Sequence, residues 1–265
     1  MQSIKNTVWW ITGASSGIGM GMAIFVLKNG GKVILSSRNE QKLKEVISSV
    51  DISENDFLIL PLDLEKMDNI ELLVNKVIQK FNRIDFLINN GGISQRSLVA
   101  ETSIEVDRRI METNFFGAVA LSKAVLPIMI KQHSGHICAV SSIVGKFGFP
   151  LRSAYSASKH ALHGFFESLR AENYNNNIKV SIIIPGRINT SISNNALTKD
   201  GTKHGLLDEG QAKSMGIEEA SKKIVKGILK EKKEIMLGGK SLLMVHIRRW
   251  FPRLFYYLST KISAK

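Results

Sequence analysis

The run VWWITGASSGIGMGMAIFVL, residues 8 to 27, decides the fold of this 265-residue chain. It carries no charge and is long enough to be weighed as a membrane span. Four glycines, two serines and a threonine in its middle speak against a bilayer. The residues before it lack the basic, apolar and small-residue order of a secretory signal. The run divides instead into a strand (VWWI), a glycine-rich turn (TGASSGIG, Thr12 to Gly19) and a helix reaching about Lys28. Gly13, Gly17 and Gly19 let the backbone turn tightly, let a ligand approach the amides, and let the helix pack on the sheet. The helix N-terminus then offers unpaired N–H groups and a partial positive charge to a pyrophosphate. A glycine-rich turn alone is a weak signal; the strand before it and the helix after it supply the required context.

Beyond Lys28, apolar runs of strand length alternate with longer segments of helical period. VILS precedes a helix through EQKLKEVISSV, and FLILPLD precedes a helix to Phe81. DFLINN leads to a long helix ending near Lys131, and GHICAVSS to a helix from about Ser153 to Tyr174. KVSIIIP comes before a last strand near EIML. These strands are apolar throughout rather than alternating, as parallel strands buried on both faces must be. The series predicts right-handed βαβ units in one α/β domain over residues 1–240, a Rossmann fold with a doubly wound parallel sheet of about seven strands. Residues 190–216, TSISNNALTKDGTKHGLLDEGQAKSMG, break the rhythm. A disordered insertion is one reading. Their place after the C-terminal end of a strand, where ligands bind in open α/β sheets, favours a mobile lid over a substrate.

The formal net charge is +13. Charge of this size permits contact with nucleic acid, anionic lipid or a phosphorylated cofactor without choosing among them. No recognition motif matches it, which sets nucleic acid aside. Much of the excess lies in residues 241–265, where Arg248, Arg249, Arg253, Lys261 and Lys265 stand without an acid. This helical tail, SLLMVHIRRWFPRLFYYLSTKISAK, mixes those cations with Trp250, Phe251, Phe255, Tyr256 and Tyr257 around Pro252. It is open to two readings: peripheral contact with an anionic membrane, or packing on its own domain or on another subunit of a homodimer or homotetramer. Neither of its segments is long enough to span a bilayer. The one cysteine, Cys138, excludes an internal disulfide and a Cys-based zinc site. Within HICAV it reads as a buried, inert thiol in a reducing, cytoplasmic setting.

The end of the second strand tests the 2′ position of an adenosine ribose. An acid there accepts hydrogen bonds from a free 2′-hydroxyl and favours NAD. In VILSSRN, Ser37 stands where the acid would lie and Arg38 follows. A guanidinium pairs with a 2′-phosphate through bidentate, charge-assisted bonds, and the missing carboxylate removes repulsion. These residues predict NADP(H). A merely solvated arginine at a helix start would leave the absent acid unexplained.

Seven short motifs fall in one order: TGASSGIG at 12, LDL at 62, NNGG at 89, METNFFG around Asn114, SS at 141, YSASK at 155 and PGRINT at 185. In that order and spacing the chain, over about residues 5 to 237, resembles the short-chain dehydrogenase/reductase family. LPLDL, NNGGISQRSL, KHALHGFFESLR and the basic aromatic tail look most like its dehydrogenase/reductase member 7 group, relatives of 11β-hydroxysteroid dehydrogenase type 1. The family usually has NNAG, and Gly91 stands here in place of the alanine. The resemblance implies cofactor contacts at Thr12, Gly13, Ser15, Ser16, Gly17, Ile18, Gly19, Ser37, Arg38, Asp63, Leu64, Asn90, Gly91, Tyr155, Lys159, Ile188 and Thr190. Asp63 is expected near the adenine, Asn90 near the ribose and nicotinamide, and Ile188 with Thr190 at the carboxamide. Asn89 is expected to stabilise its strand end. In LDLEK, Asp63 also reads as a helix N-cap.

Hydride transfer from a nicotinamide to a carbonyl creates negative charge on oxygen, so the site needs a proton donor and a polarising hydrogen bond there. Tyr155 is expected as the acid in reduction and the base in alcohol oxidation. A free tyrosine, with a pKa of about 10, is a poor base near neutrality, and a nearby cation lowers it. Lys159, four positions on along one helix face, supplies that cation. The resemblance adds contacts from Lys159 to the nicotinamide ribose, a hydrogen bond from Ser142 to the substrate oxygen, and a water at Asn114 that relays protons toward Lys159. The family spacing, thirteen positions before the tyrosine, selects Ser142 over its neighbour Ser141. His160 and His163 read as helix packing, Asp85 and Glu112 as surface or capping groups, and no cluster has metal-ligand spacing. Residues 94–100 and 143–155, with the lid, are expected to form a pocket for a lipophilic carbonyl or alcohol. An NADP(H)-dependent oxidoreductase with Asn114, Ser142, Tyr155 and Lys159 as its catalytic set is the favoured reading. A non-catalytic NADP-binding sensor or scaffold would keep the turn but would have no need of Ser142, Tyr155 and Lys159 together.

Overall fold

The computed structural model describes residues 3–206, 208 and 214–261. Runs rich in β-branched and aromatic residues form its strands: β1 (Val8–Thr12), β2 (Lys32–Ser36), β3 (Phe57–Ile59), β4 (Phe86–Asn89), β5 (Gly135–Val140), β6 (Ile178–Pro185) and β7 (Glu234–Leu237). All pair in parallel, in the order β3-β2-β1-β4-β5-β6-β7. This is a single-domain Rossmann fold. Strand order reverses between β1 and β4, so the connections leaving their C-terminal ends run to opposite sides and leave a crevice there.

The helices are α1 (Gly17–Lys28), α2 (Glu40–Ser48), α3 (Ile70–Phe81), α4 (Ile104–Met111), α5 (Gly117–Lys131), α6 (Ser153–Glu172), α7 (Ile217–Leu229), α8 (Leu243–Trp250) and α9 (Pro252–Lys261). They cover both faces of the sheet and give it two apolar layers. Side chains alternate along β1, so Trp10 joins Ile34, Leu87, Ile137 and Phe166 in one layer. Trp9 and Ile11 join Met22, Val33, Ile88 and Ile224 in the other. Both indoles are fully buried, and both N–H groups find partners: Trp10 Nε1 donates to Ser36 Oγ (2.9 Å) and Trp9 Nε1 to Thr7 Oγ1 (2.8 Å). The uncharged run 8–27 is thus a buried strand, a turn and a helix rather than a membrane span.

Three local features depart from the expected pattern. FLILPLD yields a strand of only three residues, although Leu60 N still donates to Leu35 O and Leu62 N to Ser37 O. Pro61 between them has its missing N–H on the side away from β2, which an edge strand tolerates. The next helix begins at Ile70, so Asp63 caps no helix; its Oδ1 accepts from Glu65 N (3.1 Å) in a turn. Helix α7, absent from the expected series, lies against α1 at Gly21, where an added Cβ would collide with Ser221 and Ile217.

Residues 104–131 form one helical rod interrupted by a π-helical segment, Glu112–Phe116. The rod is long and apolar enough to cross a membrane, yet 44% of its most apolar stretch is buried within the protein. The tail does not stand apart. Phe255 is buried with its ring 5.2 Å from that of Phe147, in a cluster with Val144 and Tyr155 that Met244, Val245 and Ile247 also join. Trp250, Phe251, Leu254, Tyr256 and Tyr257 remain exposed. Residues 262–265 of the tail, and 207 and 209–213 of the expected lid, lie outside the described residues.

Candidate active site

The crevice at the reversal point is a cleft of about 560 Å³. Its floor is the turn after β1. Gly13 (φ +64°) and Gly17 (φ +57°) sit in the left-handed region that favours glycine. A Cβ on Gly13 would lie 2.9 Å from Asn90 Nδ2 and from Gly91 Cα. Gly19 does not line the cleft: a Cβ there would strike the Gly13 carbonyl and Asn90, so its task is the close approach of α1 to the turn. Thr12 Oγ1 accepts from Asn90 N (3.0 Å) and Gly91 N (2.9 Å), while Asn90 Nδ2 donates to Thr12 O (2.9 Å). The Asn90 amide therefore fastens the end of β4 to the turn. Asn89, as expected, is tied inward, its Nδ2 donating to Ser122 Oγ (3.0 Å). Ser16 makes no side-chain cap on α1 and no acid occupies the first turn. Gly17 and Ile18, in the first turn of α1, border the cleft without that competition, which fits an anionic phosphate.

At the end of β2 the cleft is bordered by Ser37, Arg38, Asn39 and Lys42, with Asp63 and Leu64 across from them. Arg38 is half exposed and pairs at 3.4 Å with Glu65. Glu65 also accepts from Arg109 Nε at 3.2 Å and from Thr113 Oγ1 at 3.2 Å. Glu65 drew no attention in the sequence, yet it orients the arginine of the ribose test.

Tyr155 and Lys159 lie one turn apart on α6, 8% and 4% exposed. Gln95, fully buried, holds the start of that helix: its Oε1 accepts from Ala154 N (2.9 Å) and its Nε2 donates to Thr102 Oγ1 (3.0 Å). The two serines after β5 divide the work. Ser141 Oγ donates to Lys159 O (3.1 Å) and meets His163 Nε2 (3.0 Å), anchoring α6. Ser142 lines the cleft, where its hydroxyl accepts from Val144 N (3.4 Å) and opposes the upward shift of the Tyr155 phenol. His160 Nδ1 faces Ser156 O (2.8 Å), so both histidines act in helix packing.

Asn114 sits in the π-helical segment and does not border the cleft. Its Oδ1 accepts from Ile93 N (2.8 Å), and its Nδ2 donates to Ile93 O (2.9 Å) and Ser158 Oγ (3.0 Å). Both amide protons are committed, and the side chain links the β4 loop to α6. It still lies close to the lysine, since a Cβ on Gly92 would be 3.0 Å from Asn114 Oδ1 and 3.4 Å from Lys159 Nζ.

The electrostatics differ from the expected pairing. Burial lowers the Lys159 pKa to about 8, and its Nζ donates to Val140 O at 2.7 Å, 5.7 Å from the Tyr155 ring centre. Burial raises the Tyr155 pKa; the Ser142 hydroxyl and then the Arg96 and Arg152 guanidinium groups oppose it. Burial outweighs the cations, so the phenol is held protonated. Cys138 is fully buried, and burial pushes its thiol pKa far above the usual range, as an inert thiol requires.

One cleft thus gathers Ser142, Tyr155, Lys159 and every expected cofactor contact except Gly19. The described part of the expected lid borders it through Ser191, Ile192, Asn195, Leu197, Gly201 and Lys203. That part is pinned by Leu197 N to Ser94 O (2.8 Å) and Arg96 N to Leu197 O (2.8 Å). The fold also brings His163, Glu167 and Glu234 together, a grouping no spacing announces; Glu234 is already paired with Lys146 at 2.6 Å.

A family model described as short chain dehydrogenase matches residues 7–201. A Drosophila melanogaster protein named dehydrogenase/reductase SDR family protein 7-like is 43% identical over 99% of this chain and 82% of its own length. The mouse dehydrogenase/reductase SDR family member 7B is 39% identical over 99% of this chain and 83% of its own. Among solved structures, a short-chain dehydrogenase/reductase from Burkholderia phymatum in complex with NAD has a TM-score of 0.84 at 21% identity, covering 96% of each chain. A short-chain dehydrogenase from Burkholderia cenocepacia J2315 in complex with NADP has a TM-score of 0.80 at 23% identity, covering 97% of this chain and 99% of its own. At those identities the two structures show likeness of fold alone. The chain belongs to the short-chain dehydrogenase/reductase family.

Proposed function

We propose that this member of the short-chain dehydrogenase/reductase family is an NADP(H)-dependent oxidoreductase interconverting a carbonyl and an alcohol on a lipophilic small molecule. The observation that carries the reading is the convergence of Ser142, Tyr155 and Lys159 in the same cleft as the phosphate-sized turn. When bound, the nicotinamide supplies or accepts the hydride. The chain's own residues do the rest. The uncapped first turn of α1 takes the pyrophosphate. Arg38, with Lys42 beside it, takes the 2′-phosphate and leaves Glu65 to Arg109, and Ser37 offers no opposing charge. Asp63 and Leu64 flank the adenine, Asn90 and Gly91 the ribose region, and Ile188 with Thr190 the carboxamide.

In reduction, Tyr155 gives its phenolic proton to the carbonyl oxygen as the carbonyl carbon gains the hydride, and Ser142 donates a hydrogen bond to the same oxygen. A phenol kept protonated by burial has that proton to give near neutrality, which favours reduction. Lys159 exchanges its bond to Val140 O for the ribose hydroxyls and steadies the phenolate left behind. A water beside Asn114 returns the proton through Lys159. The described part of residues 190–216 acts as the lid over a lipophilic substrate. The exposed aromatic and basic face of α8 and α9 rests peripherally on membrane in the cytoplasm, and the protein assembles as a homodimer or homotetramer.

The test is Tyr155→Phe. It keeps NADPH binding, measured by nucleotide fluorescence, and loses about 10²- to 10⁴-fold in turnover of carbonyl substrates. Undiminished reduction by this variant refutes the mechanism.

A further inference from the structure

Three segments expected to form the substrate pocket meet at a charge cluster that the reaction described above does not use. Arg96 comes from the loop after β4, Arg152 from the residue before α6, and Asp208 from the described part of the lid. Arg96 Nη2 and Arg152 Nη2 both donate to Asp208 Oδ2, at 2.7 and 3.0 Å, and Arg96 Nε reaches Asp208 Oδ1 at 3.4 Å. The two arginine side chains are 5% and 12% exposed. Arg152 also stacks over Phe149, 4.8 Å from its ring centre, and Arg96 Nη1 is held by Ser94 Oγ (2.9 Å) and Gln95 O (2.6 Å). The guanidinium groups are therefore fixed in place before any ligand arrives.

Two largely buried cations share one carboxylate among the described residues. A buried charge without its full complement of counter-charge is costly, and the usual remedy is a second anion. The strain is visible at Arg152, whose pKa falls to about 10 through burial and repulsion by Arg96. The cluster is also close to the chemistry. Arg152 precedes Tyr155 by three residues, Arg96 N donates to the carbonyl of Leu197, which borders the cleft, and both guanidinium groups act on the Tyr155 phenol.

We propose that Arg96 and Arg152 form the anion-binding part of the substrate site, taking a carboxylate or phosphate carried by the lipophilic carbonyl substrate in place of the Asp208 carboxylate. Asp208 occupies that place in the empty protein, shows by its three bonds from the arginines that a planar oxyanion fits there, and competes with the ligand for it. This assignment rests on the oxidoreductase reading and refines its substrate class.

The experiment uses the full chain with NADPH bound. Calorimetric titrations compare octanoate, octyl phosphate and octanol, and turnover compares 4-oxodecanoate with its methyl ester. The wild type binds octanoate or octyl phosphate more tightly than octanol; the two anions separate a carboxylate site from a phosphate site. Arg96→Gln and Arg152→Gln each weaken the preferred anion roughly 10- to 100-fold and leave octanol unchanged. Asp208→Asn tightens the anion by removing its competitor. Equal binding of charged and neutral probes by the wild type overturns the proposal, as does an anion preference that survives in folded Arg152→Gln, the milder of the two arginine variants. Tyr155-dependent reduction of the methyl ester without any anion preference would sink this assignment and leave the oxidoreductase reading intact. Anion binding without turnover of either ketone would do the reverse.

Discussion

Replacing Lys159 by methionine should abolish turnover and at the same time stabilise the empty protein near neutrality. The lysine is 4% exposed, and burial lowers its pKa from 10.5 to about 8. At 1.36 kcal/mol per pKa unit, holding the ammonium in the fold costs about 3 kcal/mol at pH 7. The sign follows from a folded pKa below the unfolded one. The cost is present in full below about pH 8, shrinks as pH rises toward 10.5, and is gone above it. Methionine removes the charge and keeps much of the volume, but it deprives Val140 O of its 2.7 Å donor, at about 1–2 kcal/mol. The net gain at pH 7 is about 1–2 kcal/mol, or about 3–6 °C in Tm for a chain of this size. Above pH 10.5 the order reverses, because the neutral lysine still donates to Val140. Urea and thermal unfolding of both proteins without nucleotide, at pH 7 and at pH 10.5, measure this directly. A variant less stable than the wild type at pH 7, or a difference that does not change with pH, refutes the reasoning.

Arg38→Asp should move cofactor preference from NADPH toward NADH, read as the ratio of kcat/KM for the two; an unchanged ratio removes the 2′-phosphate reading. Phe255→Ala should cost about 3–5 kcal/mol in unfolding free energy and raise KM for lipophilic substrates, since Phe255 packs in the cluster that holds Tyr155. A loss below 1 kcal/mol would mean the tail contributes nothing to that wall. Trp250→Ser combined with Tyr257→Ser, both on exposed positions, should reduce co-sedimentation with anionic vesicles without lowering Tm. Equal sedimentation of variant and wild type defeats membrane contact through this face.

Much of the architecture was legible because parallel strands buried on both faces leave short, β-branched apolar runs bounded by turn residues. All seven strands fall within such runs, although β3 is shorter than its run FLILPLD. The glycine turn was equally plain, since Gly13 and Gly17 adopt backbone angles that select glycine. The choice of Ser142 over Ser141 rested on spacing alone; its physical cause, the capture of Ser141 by Lys159 O and His163, needs the third dimension. The same holds for the electrostatics around Tyr155. Lys159 was visible one turn away, but its commitment to Val140 was not. Arg96 and Arg152 lie 112 and 56 positions from Asp208, separations at which no local pattern speaks. Glu65 and Gln95, whose roles are to orient other residues, carry no motif at all.

The π-helical segment at Glu112–Phe116 is the one place where the rod from Ile104 to Lys131 absorbs a residue without turning its buried faces. A π turn accommodates one residue more than an α turn, and each residue advances the following face by about 100°. Upstream, Val106 and Ile110 point into the protein; downstream, Leu121, Val125 and Met129 do. Deleting one residue from the segment would let the rod close into uninterrupted α-helix with both buried faces still in register, because an α turn of one residue fewer covers nearly the same rotation. Asn114 would lose its alignment with Ile93 and Ser158 in the same stroke. A single-codon deletion inside the segment therefore spares the core faces and acts on the reaction site, through Asn114.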